Sequence, residues 1–236
     1  MVKSALWLSI KESLLSEITT GHFPMGVKLP TEAALAQKFG VNRHTVRRAL
    51  NDLKEDGIIR SRRGAGVFVL HKQTDYQIGK RVRFNQNLLE SGRTPSRKLL
   101  SLGTRPGDTE EVRQLQLKRG ALVHFYEGKS MADNLPIALF RSIFPANRFP
   151  DLPKRLQSNP SVTACFSDFG VDDYTRLSTR IAAVLASSTQ ASQLELQEHT
   201  PLLMTTSVNI DNQCKPIEFG TTWFAGDRVS LRLGKA

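Results

Sequence analysis

Residues 29–69 read LPTEAALAQKFGVNRHTVRRALNDLKEDGIIRSRRGAGVFV, and their caps, apolar spacing and glycines predict the fold of the N-terminal third of the chain. Thr31 stands where a helix N-cap is expected, because its hydroxyl can accept from a free amide of the first turn. Glu32 suits the positive helix end. Gly40 ends the predicted helix. A short capped helix is therefore expected between Thr31 and Gly40.

A third helix is predicted to begin after Asn42, a second N-cap residue, and to end at Gly57. Its apolar residues recur at i, i+3, i+4 and i+7, which is the spacing of one helix face. They are Val46, Ala49, Leu50 and Leu53. Upstream, an amphipathic first helix is indicated by apolar residues every four positions. They are Leu6, Ile10, Leu14 and Ile18.

A β-hairpin is predicted at residues 58–70, IIRSRRGAGVFVL, where two short apolar runs flank a basic turn with Gly64 and Gly66. The order is helix, helix, short turn, helix, hairpin. This order predicts a helix-turn-helix followed by a β-hairpin wing over residues 1–72.

Positive charge is concentrated in this part of the chain. The net formal charge is +11 over 236 residues, of which +6 falls on the first 72 residues and +5 on the other 164. A basic balance suggests an anionic partner such as nucleic acid, an acidic membrane surface or an anionic ligand.

The polar face of the third helix supplies the predicted DNA-reading set. Its members are Arg43, His44, Thr45, Arg47 and Arg48. The N-terminal part of a recognition helix reaches base edges in the major groove, and the arginine fork suits guanine. Thr31 is also a predicted DNA contact, and the wing adds Arg62, Arg63 and Gly64 as minor-groove or phosphate contacts. The alternatives are a solvated charged helix face and a basic surface turn.

The same residues closely resemble the DNA-binding domain of the GntR family of bacterial regulators, over about residues 6–70. The resemblance implies that Arg43, Thr45 and Arg47 contact double-stranded DNA, together with the wing around Gly64. Many members carry arginine just after the acidic residue that corresponds to Glu32. This chain departs from them with Ala33.

The pattern changes beyond a polar segment, residues 73–80, which is the predicted linker. Residues 121–145 predict two strands around the turn Ala132–Asn134, and residues 202–224 repeat that design around Asn212–Gln213. Phe84–Ser91 and Ala191–Leu196 are predicted helices. Residues 81–236 are therefore expected to form an α+β domain, an antiparallel sheet covered on one side.

This second domain resembles the effector-binding (UTRA) domain of the HutC subfamily, which has a chorismate-lyase-like fold. The resemblance is carried by FNQNLLESGRTP (84–95), DNLP (133–136), NPSVTACFSDFGV (159–171) and PIEFGTTWFAGDR (216–228). Within the subfamily, residues 83–101 are most similar to regulators of phosphonate use. The resemblance implies a small anionic effector.

The resemblance also implies the ligand-binding residues. Ser161 and Thr163 correspond to positions that help hold a phosphate, Asn85 to a hydroxyl or amide position, and Glu218 to an acidic residue that contacts polar ligand groups. Ser161 could alternatively serve only as an N-cap, and Glu218 could pair with a surface base.

The chain departs from sugar-phosphate binders at one place. Those relatives carry two arginines before the turn, where this chain has Gly128 and Ser130. Three nearby residues are the predicted replacements for that charge. They are Arg83, Lys129 and Arg141. The alternative for Arg83 and Arg141 is a solvated surface position.

Other classes of protein are disfavoured. Cys165 and Cys214 are far apart with no CxxC, and the five histidines show no metal-ligand spacing, so no metal and no cofactor are expected. His124 is expected to be packed rather than catalytic. The N-terminus does not resemble a signal peptide and no apolar run spans a bilayer, so the expected compartment is the cytoplasm.

Three functions remain open. The first is a ligand-controlled repressor or activator that binds an inverted-repeat operator as a homodimer. The second is an enzyme with a DNA-binding tether, which lacks support because GxSxG, HExxH and phosphate-binding glycine loops are absent from the sequence. The third is a general nucleoid-type DNA binder without a ligand.

Overall fold

A computed structural model describes the backbone of residues 2–62, 64–70, 73–80, 88–89 and 92–234. Within these ranges, side chains are described from Leu6 onward, except that of Arg62. The chain divides into two compact units, Met1–Lys72 and Gln73–Ala236.

The first unit contains three helices and a two-stranded antiparallel hairpin among its described residues. They are α1 (Val2–Thr19), α2 (Glu32–Phe39), α3 (Arg43–Glu55), β1 (Ile59–Arg62) and β2 (Gly66–Val69). Both predicted N-caps are confirmed. The Thr31 side chain accepts from the Ala34 amide at 3.2 Å, and the Asn42 side chain accepts from the Thr45 amide at 2.9 Å.

The core of this unit is built where the helices meet. The predicted apolar face of α3 is confirmed, since all four of its residues are buried. It packs with Ile10 and Leu14 of α1 and Leu35 of α2. At the edge of this core, Lys11 of α1 forms ion pairs with Asp52 in the last turn of α3 and with Asp56, the C-cap residue. These ion pairs join α1 to the C-terminal end of α3.

The second unit is built on a six-stranded antiparallel sheet with the strand order β4-β5-β6-β9-β8-β7. Its strands are β4 (Pro95–Pro106), β5 (Leu122–Ala132), β6 (Leu135–Pro145), β7 (Tyr174–Leu185), β8 (Pro201–Asp211) and β9 (Pro216–Ala225). A separate parallel pair joins β3 (Thr74–Ile78) to β10 (Val229–Leu233). The helices of this unit that lie wholly within the described residues are α4 (Thr109–Gln114), α5 (Leu152–Ser158), α6 (Val162–Ser167) and α7 (Ser188–Leu194). The α+β class with an antiparallel sheet is confirmed.

The sheet is covered on both faces, so the expectation of one covered side is wrong. On the face that carries Phe144 and Phe224, α6 packs through Phe166 and the β3–β10 pair through Tyr76, with ring centroids 5.7 and 5.1 Å apart. We call this the inner face. On the outer face, Leu139 packs against α7. Successive strand residues point to opposite faces of the sheet. A strand with apolar residues on both faces therefore needs packing elements on both.

The predicted linker, residues 73–80, contains β3 and belongs to the second unit. Thr74 and Tyr76 are buried, and β3 pairs in register with β10 from Thr74–Val229 to Ile78–Leu233. Its partner lies about 155 residues away, so the local sequence carries no sign of the pairing. The second unit accordingly begins before residue 81.

Helix positions in this unit also differ in detail. The helix predicted at Ala191–Leu196 is α7, which begins at Ser188 behind a Ser187 cap and ends where Glu195 adopts a left-handed conformation, φ 54°. Of the helix predicted at Phe84–Ser91, only residues 88–89 lie within the described part of the chain, and both are helical.

Candidate nucleic-acid interface and candidate ligand pocket

The outward face of α3 carries most of the predicted DNA-reading residues. Arg43, His44, Arg47 and Arg48 are exposed, and Thr45 is half-buried. The Thr45 hydroxyl donates to Asn42 Oδ1 at 2.8 Å, so the N-terminal turn of α3 is held by its own cap. Four exposed side chains, three of them arginines, thus project from the first two turns of one helix.

Arg47 is paired with an acidic residue of α2. Its Nη2 lies 2.8 Å from Glu32 Oε2, and its Nε donates to both carboxylate oxygens at 3.2 Å. The pair raises the pKa of the Arg47 guanidinium and lowers the pKa of Glu32. Arg47 is 54% exposed, and exposed ion pairs are weak and screened by salt. A phosphate or a base edge can therefore compete for its guanidinium.

Arg48 lies against α1. Its guanidinium carbon lies 4.6 Å from the centroid of the Trp7 ring, which is cation–π distance. This contact turns Arg48 toward α1, whereas Arg47 turns toward α2. Thr31, the cap of α2, is exposed. The sequence pattern did not predict either arginine contact, because both partners lie on other helices.

The wing is a short antiparallel ladder from Ile59–Val69 to Arg62–Gly66. Gly64 lies in its turn with φ 74°, a left-handed conformation that favours glycine. A Cβ at Gly66 would lie 2.6 Å from Lys28 Cε, so the Lys28 side chain crosses the wing there. Arg62 ends β1, and the predicted contact Arg63 lies outside the described residues. Lys28 is a cation of the wing that the sequence analysis missed.

In the second unit, Glu218 of β9 lies on the inner face and is 8% exposed. It accepts from Ser142 Oγ at 2.6 Å and from Asn209 Nδ2 at 2.7 Å. These partners are neutral and lie on the neighbouring strands, so the alternative of a surface ion pair is wrong. Among the described residues, Asn209 Oδ1 is buried with no hydrogen-bond partner. The centre of the inner face thus presents acceptor oxygens.

Ser161 and Thr163 lie at the start of α6, the helix that packs on the inner face through Phe166. Ser161 caps α6, accepting from the Ala164 amide at 3.3 Å, and the Thr163 hydroxyl lies 2.9 Å from the Tyr174 hydroxyl. Burial raises the pKa of Tyr174 to about 12, and the Glu218 carboxylate adds to that rise. Thr163 and Glu218 therefore both lie near the Tyr174 hydroxyl, and Ser161 lies two residues before Thr163 as the cap of α6.

Lys129 and Arg141 do not join this group. They lie on the outer face, since Ser142 and Glu218 define the inner face and strand residues alternate. Lys129 Nζ donates to the Gln193 carbonyl at 3.2 Å, and Arg141 pairs with Glu127 at 2.5 Å. The prediction that these cations line the pocket is not supported by the geometry. Arg83 and Asn85 lie outside the described residues.

The remaining features of the part of the chain that the structure describes concern metal sites, membrane-spanning helices and disulfides. No cluster of His, Cys, Asp and Glu there could hold a metal ion. No helix among these residues is long and apolar enough to cross a membrane. Cys165 and Cys214 are free thiols.

A helical unit with a β-hairpin wing and an α+β unit with a polar inner face together define a class, the two-part transcription regulator. Residues 6–69 match the model of the bacterial regulatory proteins of the gntR family, and residues 90–230 match that of the UTRA domain. The chain belongs to the GntR family of bacterial transcriptional regulators, with a UTRA domain as its second part. The predicted family and its HutC-type arrangement are confirmed.

Relatives that match over most of their length support the same family assignment. An uncharacterized HTH-type transcriptional regulator of Rhizobium meliloti (strain 1021) is 36% identical over 97% of this chain and 94% of its own length. The "Probable transcriptional regulator PhnF" of Escherichia coli (strain K12) is 31% identical over 90% of this chain and 88% of its own length. These relatives are named as regulators, which confirms the prediction of a transcription regulator in preference to the alternative of an enzyme.

A solved structure agrees in fold. The crystal structure of PhnF from Mycobacterium smegmatis covers 96% of this chain and 99% of its own chain, with a TM-score of 0.69 and 24% identity. Regulators of the GntR family bind DNA through the helix-turn-helix part.

Proposed function

We propose that the chain is a ligand-responsive transcriptional repressor that binds an inverted-repeat operator as a homodimer. The observation that carries the proposal is the row of exposed Arg43, His44 and Arg47 on the N-terminal half of α3, beside a glycine-tipped wing. A helix that presents its N-terminal residues in this way fits the major groove. Arginine there favours guanine.

A dimer is expected because the DNA-contacting surface of one winged unit is small. One winged unit offers a few base contacts, and two units held about one DNA turn apart multiply the affinity without any new contact. A two-fold symmetric protein then reads a two-fold symmetric site. The effector would control DNA binding if it changed the distance or the mobility between the two DNA-binding units, so that they no longer matched the half-site spacing.

The first experiment is selection of bound fragments from a random double-stranded DNA library by the full chain. The expected result is an enriched inverted repeat with half-sites about one helical turn apart, or a multiple of it. Competition with scrambled DNA at fixed salt measures specificity, since phosphate contacts alone give salt-dependent binding without sequence preference. Enrichment of no sequence would overturn the proposal in favour of a nucleoid-type binder.

The proposed effector is a small anion that also carries a hydrogen-bond donor. The hydroxyls of Ser161 and Thr163 suit the anionic group. Glu218 and the buried Asn209 Oδ1 suit a hydroxyl or an amine at the other end, because a buried acceptor without a donor is costly. The relatives named for PhnF, and the phosphonate resemblance, support phosphonates as the first compounds to test.

A thermal-shift screen of phosphonates, phosphate esters and small acids identifies the effector class, since a compound that binds the folded chain raises its melting temperature by mass action. For a repressor that ligand releases, the same compound is expected to weaken operator binding. A compound that stabilises the chain but leaves or strengthens operator occupancy would contradict release by ligand.

A further inference from the structure

Arg97 on β4 is a charged residue of the inner face that the sequence pattern does not single out. It lies directly opposite Ser130 of β5, and its neighbour two residues on, Leu99, lies opposite Gly128. Residues opposite each other on paired strands project from the same face. Gly128 and Ser130 are the two positions where the sequence analysis found an expected charge missing. Arg97 approaches that space from the adjacent strand.

The absence of a side chain at Gly128 makes room for the group that supports Arg97. A Cβ at Gly128 would lie 2.7 Å from the edge of the Phe140 ring, so only glycine lets the ring lie there. The Arg97 guanidinium carbon lies 5.2 Å from the centroid of that ring. Attraction between the charge and the ring holds a guanidinium in place over an aromatic side chain.

The guanidinium also reaches the start of α6. Its Nη1 lies 3.4 Å from the Pro160 carbonyl oxygen, one residue before Ser161 and three before Thr163. Its charge also acts on Tyr126 and Tyr174, where it opposes the rise in pKa that burial causes. The Arg97 guanidinium therefore lies at the start of α6, and its charge acts on the Tyr174 hydroxyl, which lies 2.9 Å from the Thr163 hydroxyl.

We propose that Arg97 is the residue that binds the anionic group of the effector and sets the preference of the pocket for anions. The ligand class is a small molecule with a phosphonate, phosphate or carboxylate group, which a planar guanidinium can bind through two parallel hydrogen bonds. This inference rests on the anionic effector of the proposed function. It assigns the charge to β4, in place of the outer-face residues Lys129 and Arg141.

The test measures binding of simple probes to the full chain by calorimetry and thermal shift. The probes are methylphosphonate, inorganic phosphate and acetate, with dimethyl sulfone as a neutral tetrahedral analogue. The variants are Arg97→Gln, which removes the charge, and Arg97→Lys, which keeps the charge and loses the fork. Lys98→Gln is the matched control, because Lys98 is the next residue of β4, is exposed, and points to the outer face.

The expected result is that wild type prefers at least one anion to the sulfone and that Arg97→Gln loses about tenfold or more of that affinity. Arg97→Lys is expected to lie between the two, and Lys98→Gln to bind as wild type does. Circular dichroism and the melting temperature without probe check folding, and Arg97→Lys carries the test if Arg97→Gln does not fold.

Two results would overturn the inference, and only the second would also overturn the proposal of an anionic effector. In the first, Arg97→Gln binds the anion as tightly as wild type, or Arg97→Lys does so if Arg97→Gln does not fold. Arg97 is then not the anion-binding residue, and the effector proposal stands. If wild type binds none of the anions better than the sulfone, the anionic effector itself is wrong and the inference fails with it.

Discussion

His124 shows how a buried polar side chain of the second unit is fixed by its neighbours. The Phe149 carbonyl oxygen, 2.9 Å away, can only accept, so Nε2 carries the proton and donates. Nδ1 then accepts from the Thr104 hydroxyl at 2.7 Å. The side chain is 4% exposed, and burial lowers its pKa, opposed by the Phe149 contact. The prediction of a packed histidine is confirmed.

Acid is expected to destabilise the second unit through His124. Because its pKa is lower folded than unfolded, the unfolded chain binds the proton more readily as pH falls below about 6.5. The stability contribution is therefore complete above that pH and is lost as pH falls toward the folded pKa. His124→Gln is expected to flatten this part of the profile, measured as melting temperature from about pH 7.5 to 5.

The matched control is His199→Asn, at an exposed position with φ 61° that asparagine tolerates. It is expected to keep the wild-type pH profile. Identical acid sensitivity in His124→Gln and wild type would show that His124 is not the responsible group.

The side-chain contacts that the sequence predicts are those between residues only a few positions apart. Thr31 and Asn42 were assignable as caps because a cap and its target amide are three residues apart. The pairing of Arg47 with Glu32 spans 15 residues, and the stacking of Arg48 on Trp7 spans 41. Such contacts depend on how helices pack, which propensity and spacing do not specify.

In α3, the residues proposed to contact DNA follow directly after the N-cap Asn42. Asn42→Ala removes the side-chain acceptor for the Thr45 amide and hydroxyl. We expect a loss of about 1 kcal/mol in the free energy of unfolding of the first unit, and fraying of the turn that carries Arg43 and His44. Urea unfolding followed by helix ellipticity measures it.

Asn51→Ala is the control for this change, since Asn51 is an exposed residue of the same helix and holds only a 3.5 Å contact to Lys54. It is expected to alter stability by no more than about 0.5 kcal/mol. Equal stability of the two variants would show that the Asn42 cap contributes nothing beyond an ordinary surface residue.

The strands show where prediction from the sequence stops. The β5–β6 and β8–β9 hairpins were predictable because alternation and turn residues are local signals. Strand alternation also separates Lys129 from Ser130 and Arg141 from Ser142. It does not reveal which face holds the proposed ligand site, because that depends on where α6 and the β3–β10 pair lie. For the same reason Arg97 was missed.

For the chain as a whole, the proposed function links the two units through one thermodynamic cycle of effector and operator binding. If the effector lowers the affinity of the chain for its operator by some factor, operator binding must lower the affinity for the effector by the same factor. Coupling of this kind amounts to about 1–3 kcal/mol in other allosteric proteins. A regulator therefore differs from two unlinked domains in a measurable way.

The role of α3 is tested most directly by the ratio of affinities for the selected operator and for scrambled DNA at one salt concentration. In Arg43→Ala and Arg47→Ala this ratio is expected to fall, with specific binding weakened by about 1–3 kcal/mol per lost base contact. Arg113→Ala, at an exposed position of α4, is expected to keep the wild-type ratio. An unchanged ratio in both α3 variants would contradict the reading of DNA by this helix.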